Sequence, residues 1–390
     1  MKIAVVGAGL MGSVAAKYLI GRRGVETVQL VDKDQTKLEQ AAKSAKSKKL
    51  VSHFLDASDR ASIAEAVKGF DATLIALPPS ASLSTDLAAI DAGVNAVDLV
   101  FKDSQMKLHS KCVSSGMTLI PGCGVAPGMA QILAGEGARR LTSVEEIHIL
   151  CGGLPQVPRP PLNYRIVFSF EQVLEMYADE TVRVIRDGRL KETLPLTEVE
   201  RVSFPKPYDD MEAFLTDGLD TLLHTMRGRV KVMDEKTVRY PGHAEQISTL
   251  IETGLVSTKP VTVNGAEITP RKFLSDTLGP KLLLGKEKDV TLLRVIVSGT
   301  KNGSRLKYEY EMVDYFDEAE QVTSMARTTA YTEAIAAMLL AEGKISEKGV
   351  LPPETAFKGP NFKTLFQRLA EKNVRISETM TTTTPDMTKS

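Results

Sequence analysis

Lys2-Ile3-Ala4-Val5-Val6-Gly7-Ala8-Gly9-Leu10-Met11-Gly12 opens the chain and decides how the rest of it is read. Residues 3–6 form a continuous apolar run, which suits a strand covered on both faces. Gly7, Gly9 and Gly12 then give the pattern GxGxxG. Val14 and Ala15, with Tyr18 and Leu19, set a helical period immediately behind it. Strand, glycine turn and helix in that order are the context this pattern requires. Gly7 permits the tight turn, Gly9 lets a ligand approach the backbone, and Gly12 lets helix and strand pack closely.

A second predicted strand, 28–32, ends on Asp32, about twenty residues beyond the motif, where a carboxylate is placed to bond ribose hydroxyls. Turn and acid together point to a dinucleotide, its pyrophosphate facing the free amides of the first helix. Gly7, Ala8, Gly9, Leu10, Met11 and Gly12 form its cradle. A carboxylate at Asp32 repels a 2′-phosphate, so NAD is expected, and the adjacent Lys33 keeps NADP possible. Asp56 and Ala57 fall where an adenine would lie. Ala76, Leu77 and Pro78, with Asp98 and Leu99 one strand further on, would border the nicotinamide.

Outward from the motif, strands are predicted over 2–6, 28–32, 51–56, 72–78, 95–100 and 117–123, with helical stretches between them. That alternation implies βαβ units and a parallel sheet. From 145 to 325 the pattern changes to longer strands and hairpins, with Asp187-Gly188, Asn264-Gly265 and Asn302-Gly303 as turns. The fold class expected is α/β: a Rossmann-type parallel-sheet domain plus a second α+β domain with a mixed or antiparallel sheet. The first domain is assigned 1–126, completed by 325–378, and the substrate and dimerisation domain 127–324. Residues 379–390, rich in threonine with little to bury, are expected to be a disordered tail.

At 390 residues, with 49 basic and 49 acidic side chains, the chain has the size of two domains and no charge bias toward nucleic acid or an anionic membrane. No apolar run is long enough to span a bilayer, and a cytoplasmic protein is expected. The three cysteines, Cys112, Cys123 and Cys151, lie in no CxxC or HExxH spacing, so no metal is expected.

Further stretches carry a resemblance. They are Val97-Asp98-Leu99, Pro121-Gly122-Cys123-Gly124-Val125-Ala126-Pro127-Gly128-Met129 and Cys151-Gly152-Gly153-Leu154-Pro155. Pro160-Pro161-Leu162-Asn163-Tyr164, Phe168-Ser169, Thr237-Val238-Arg239-Tyr240-Pro241-Gly242-His243-Ala244-Glu245 and Met325-Ala326-Arg327-Thr328-Thr329-Ala330-Tyr331 complete them. Together they resemble the saccharopine dehydrogenase and reductase superfamily, and within it the lysine 6-dehydrogenases. The resemblance implies NAD-dependent oxidative deamination of the ε-amine of L-lysine. Hydride passes to NAD, the imine is hydrolysed, ammonia leaves and the product cyclises to piperideine-6-carboxylate. It also implies a homodimer, with strands such as 290–297 at the interface. Thr216-Asp217-Gly218-Leu219-Asp220-Thr221-Leu222 and Val100-Phe101-Lys102-Asp103 depart from the lysine pattern. Another amino-acid or polyamine substrate is therefore an alternative, as in a saccharopine or carboxynorspermidine dehydrogenase acting on a secondary amine. A non-catalytic NAD-binding regulator is a third reading.

Such chemistry needs a cation for the substrate carboxylate, acceptors for its ammonium groups and a proton shuttle near neutral pH. Arg239 is the candidate for the carboxylate, by two parallel bonds, with a strand-surface salt bridge as its alternative. His243 is the candidate shuttle, with a capping or core histidine as its alternative. Asp98 and Asp217 are candidate ammonium partners. Tyr164, Tyr240 and Thr216 are candidates to line the substrate pocket. Gly128 and Cys123 are expected to face the same cleft from the 121–128 turn, whose glycines would let backbone approach a ligand.

Overall fold

The strand–helix alternation of the N-terminal part is present in the computed structural model, which describes residues 1–166 and 170–383. Phe168 and Ser169 lie outside the described residues. In chain order the elements are β1 (Lys2–Val6), α1 (Leu10–Ile20), β2 (Thr27–Asp32), α2 (Gln35–Ala45), β3 (Leu50–Phe54) and α3 (Arg60–Val67). They continue with β4 (Ala72–Ile75), α4 (Pro79–Ala92), β5 (Ala96–Asp98), α5 (Asp103–Met106), α6 (His109–Ser114), β6 (Thr118–Ile120) and α7 (Met129–Arg139). The strands are parallel in the order β6-β5-β4-β1-β2-β3, and a short strand, Gly349–Val350, extends the sheet beyond β6. Ile3, Ala4, Val5 and Val6 are all buried, as a central strand sandwiched by helices requires. The strand order reverses between β1 and β4, the switch point at which open α/β sheets bind ligands.

The chain divides into two units. The first comprises Met1–Arg139, Asp220–Thr225 and Ala326–Arg375; the second comprises Arg140–Leu219, Met226–Met325 and the chain from Ile376. The break after the parallel sheet thus falls at Arg139 rather than at 126. The reason is local. Arg139 donates to the carbonyls of Glu354 (2.8 Å) and Phe357 (3.2 Å), and Gly135 leaves room for Glu354, which ties α7 to the returning 326–375 segment.

The second unit contains β7 (Ser143–Pro155), α8 (Phe170–Ala178), β8 (Val182–Arg186), β9 (Arg189–Thr193), β10 (Glu200–Val202) and β11 (Met211–Leu215). The helical turn α9 (Leu222–Thr225) belongs to the first unit. Next come β12 (Val232–Arg239), α10 (His243–Glu252), β13 (Val261–Val263), β14 (Ala266–Ile268), α11 (Pro270–Leu282), β15 (Asp289–Lys301) and β16 (Ser304–Tyr315). Helix α12 (Ser324–Ala341) leads back to the first unit. The main sheet runs β10-β11-β12-β7-β15-β16, then Ser377–Thr383. It is mixed, since β12 pairs with β7 in parallel while the other neighbours are antiparallel. All three predicted turns join hairpins. Both central residues have positive φ in each, 55° and 75° at Asp187-Gly188, 50° and 80° at Asn264-Gly265, 51° and 79° at Asn302-Gly303. Asn, Asp and Gly tolerate that geometry best.

Residues 290–297 lie in β15, paired with β7 on one side and β16 on the other. One expectation is corrected here. Residues 379–383 are not disordered: Ser377–Thr383 pairs with β16 from Glu311↔Ser377 to Arg305↔Thr383. Threonine is a good strand former, and main-chain bonds to an open sheet edge hold a segment that buries little. Residues 384–390 lie outside the described residues. Among the described residues no helix is long and apolar enough to cross a membrane.

Candidate active site

The glycine turn is crowded below and open above. A Cβ on Gly7 (φ 105°) would lie 2.3 Å from the Ala76 carbonyl oxygen, and one on Gly12 would lie 1.8 Å from that of Gly7. Gly9 is different: nothing stands within 4 Å of its Cβ position. It is the N-cap of α1, and no side chain caps the helix there, so the first amides remain available for an anion. This is the space a pyrophosphate needs. Leu10 and Met11 flank it, Leu10 half exposed.

Asp32 holds the turn from the next strand. Its Oδ2 accepts the Ala8 N–H at 2.6 Å and its Oδ1 the Asp34 N–H at 2.8 Å, and each oxygen keeps a lone pair for a ribose hydroxyl. Lys33 is exposed and stands 3.5 Å from Asp56. The Ser58 N–H, bonded to Asp56 at 3.0 Å, holds that carboxyl below its usual range. Asp59, rather than Asp56 or Ser58, caps α3. Ala57, Ala76, Leu77 and Leu99 are half-buried and Pro78 is exposed. The residues present therefore fit a dinucleotide.

Asp98 is placed differently from the expectation. It is fully buried, with Oδ1 accepting the Val100 N–H (2.8 Å) and Oδ2 accepting Ser82 Oγ–H and Gln105 Nε2–H (2.9 Å). It faces inward and is not open to a substrate ammonium. Burial, then the neighbouring Asp86, lifts its carboxyl well above the usual range. Cys123 is also buried and its thiol is pushed up by burial, then by the charge of Glu333. Gly128 (φ 127°) presses on Gly124, where a Cβ would lie 2.3 Å from the carbonyl oxygen. The glycines of this turn approach one another; that close packing, rather than ligand approach, is what they permit.

In the second unit, β12 and the turn into α10 bring Arg239, His243 and Tyr164 together. The Arg239 guanidinium carbon lies 5.0 Å from the Tyr164 ring centre, and the Tyr164 and His243 rings are 5.4 Å apart. Thr216 and Thr237 share a hydroxyl–hydroxyl bond of 2.9 Å, Thr237 lying on the same strand face as Arg239. Tyr240 does not join this group. Its hydroxyl donates to the Pro155 carbonyl at 2.8 Å and its ring packs with Leu150, Leu154 and Phe204, because neighbouring positions at a strand end point to opposite faces. Asp217 is also committed elsewhere, to the Arg183 guanidinium (2.8 and 3.1 Å) and backbone N–H (2.9 Å).

His243 is a core histidine. It is 1% exposed, its Nδ1 is 3.2 Å from the Leu162 carbonyl, its Nε2 has no partner, and Phe214 stacks on it at 6.3 Å. Burial, then the charge of Arg239, pushes its pKa down to about 3. A shuttle at neutral pH needs a value nearer 7, so the expected proton role does not follow from this geometry.

Arg239 is only 3% exposed. Its Nη1 donates to the Val238 carbonyl at 2.9 Å, its Nε has no acceptor, and among the described residues no carboxylate is ion-paired with it. Glu212 stands directly across from it in the strand register. Both oxygens of Glu212, however, accept amides at the start of α10, from Gly242 (2.8 Å) and Ala244 (2.7 Å). A buried guanidinium without an ion pair costs several kcal/mol, and its planar fork has the geometry to match a carboxylate.

Residues 3–120 match the saccharopine dehydrogenase NADP binding domain, and residues 124–374 the saccharopine dehydrogenase C-terminal domain. The chain belongs to the saccharopine dehydrogenase family. It is thus an NAD(P)-dependent oxidoreductase of the kind that acts on CH–NH donors. A relative, the carboxyaminopropylagmatine dehydrogenase of Synechocystis, is 24% identical over 377 residues, covering 90% of this chain and 92% of its own. Saccharopine dehydrogenase (L-Glu forming) from Saccharomyces cerevisiae superposes with a TM-score of 0.81 at 18% identity, over 97% of this chain and 99% of that one. Homospermidine synthase from Legionella pneumophila, in complex with NAD, gives 0.61 at 11% identity, over 100% and 93%.

Several residues of this saccharopine dehydrogenase family member carry no motif and are apparent only in three dimensions. Tyr177 and Phe214 complete the rings around His243. Ser82 and Gln105 hold Asp98. Glu333 is fully buried in α12. Its one sequence signal is a charge within the otherwise uncharged run Thr328–Ala341.

Proposed function

We propose that this chain oxidises a C–N bond of a carboxylate-bearing amine, with NAD as hydride acceptor and the substrate carboxylate seated on Arg239. The observation that carries this is the buried guanidinium left unpaired while Glu212 serves α10. Asp32 supports NAD over NADP, since its carboxylate repels a 2′-phosphate. The cofactor supplies the hydride chemistry; the chain binds and orients, with Gly7–Gly12 and Asp32 holding the dinucleotide and Arg239 fixing the substrate.

L-Lysine, oxidised at the ε-amine, is the substrate that the motif stretches of the second unit favour. A second reading, a secondary amine joining a carboxyalkyl group to an amino-acid or polyamine chain, is favoured by the name of the Synechocystis relative. Full-length protein incubated with NAD and each amine separates them. NADH with equimolar ammonia from lysine supports the first. NADH without ammonia, from saccharopine, carboxynorspermidine or carboxyaminopropylagmatine, supports the second. Tight NAD binding with no NADH from any amine would overturn both in favour of a non-catalytic regulator.

A further inference from the structure

The first unit buries three neighbouring carboxyl groups. Asp98 ends β5, Asp86 lies on α4 and Glu333 on α12, and none of them is accessible to solvent. Gln105 Nε2 donates to Asp86 at 2.7 Å and to Asp98 at 2.9 Å, and Ser82 Oγ–H donates to Asp98. Glu333 is close enough to Asp98 to feel its charge, the Ile75 backbone bonds toward its carboxyl, and Asp86 Oδ1 is unpartnered. The other titratable groups bearing on the cluster are the Cys112 thiol on α6 and the Cys123 thiol after β6. No lysine, arginine or histidine is among the main influences on any of the three acids.

Three carboxylates cannot all be ionised in such a space without a cation. The cluster therefore holds protons at neutral pH, and a positive charge brought near it would release one. The position of the cluster says which charge that is. Asp32, at the end of β2, claims the adenosine half of a dinucleotide laid across the switch point, so the nicotinamide half falls over the ends of β4 and β5. Asp98 ends β5. The nicotinamide ring is cationic in the oxidised cofactor and neutral in the reduced one.

We propose that Asp86, Asp98 and Glu333 form a proton store linked to the charge of the bound nicotinamide. The store loses a proton when the oxidised cofactor binds and keeps it when the reduced cofactor binds. The inference rests on dinucleotide binding by the first unit and is independent of which amine is the substrate. Its sign suits the reaction class: oxidation of CH–NH to C=N transfers a hydride and leaves one proton over, and a store emptied beforehand can take it up.

Calorimetric titration of the full chain tests this, using oxidised and reduced forms of whichever of NAD or NADP binds more tightly. Each titration is run in two buffers of different ionisation enthalpy, which reports protons released per cofactor bound. The oxidised form should release a measurable fraction of a proton near neutral pH and the reduced form none. The affinity for oxidised relative to reduced cofactor should rise by up to about tenfold per pH unit. Glu333→Gln is nearly isosteric and keeps a side-chain acceptor, and it should lower the release while the chain stays folded. Asp86→Asn should do the same. Equal release for the two cofactor forms would overturn the proposal, as would release unchanged in both variants.

Discussion

Glu212 and Arg239 face each other across neighbouring strands, yet the carboxylate bonds two amides of α10 and leaves the guanidinium unpaired. Each half of that relationship has a consequence. The helix start gains a charged cap, and the arginine is left without an ion pair.

Replacing Arg239 should therefore separate stability from function. Arg239→Met removes an uncompensated buried charge and should leave the fold as stable or up to about 3 kcal/mol more so. Turnover on a carboxylate-bearing amine should fall at least about 100-fold, the cost of losing a buried charged contact. Arg239→Lys keeps the charge without the paired bonds and should fall between. Urea denaturation and steady-state kinetics check both; a variant that unfolds would return Arg239 to a structural role.

The pH dependence of His243 has a definite sign. Its folded pKa of about 3 lies below its ordinary 6.5, so the unfolded chain takes up the proton first. Its contribution is complete at pH 7 and is lost as pH falls from 6.5 toward 3, by up to about 1.4 kcal/mol per unit. His243→Phe, among Tyr164, Tyr177 and Phe214, should flatten that loss. Stability measured at pH 7 and pH 5 in both proteins decides it, and parallel losses would refute the assignment.

Asp217 should prove structural. Asp217→Asn weakens its charged bonds to Arg183 and should cost about 1–3 kcal/mol of stability, while kcat/KM of the folded variant stays within a few-fold. A selective loss of turnover at unchanged stability would restore it as a substrate contact.

Gly9 and Asp32 test the cofactor seat. Gly9→Ala meets no protein atom within 4 Å and should change stability by less than about 0.5 kcal/mol. Its methyl enters the phosphate space and should weaken dinucleotide binding by roughly tenfold. Fluorescence titration and thermal unfolding of the same sample read the two effects.

Asp32→Asn removes the charge that opposes a 2′-phosphate. The ratio of NADP to NAD affinity should rise by about tenfold or more. Titrations with both cofactors measure it; an unchanged ratio would mean that Lys33 or another group sets the preference.

The first unit was largely legible because its signals are local. A strand, Gly7, Gly9 and Gly12, a helix and Asp32 follow one another within one βαβ step, and the hairpin dipeptides of the second unit are local too. The strand Ser377–Thr383 escaped this reading because main-chain bonds to an edge supplied by β16 hold it, not its own pattern. The site residues divide in the same way. Residue type was enough to nominate Arg239, but its unpaired state depends on Glu212 turning to α10. Asp98, Asp217, Tyr240 and His243 had suitable chemistry for the roles assigned to them. Their hydrogen-bond partners, strand face and burial commit them elsewhere, and those depend on packing between segments far apart in the chain. Local conformational preference is written in neighbouring residues; desolvation and partner choice are set only when distant segments meet.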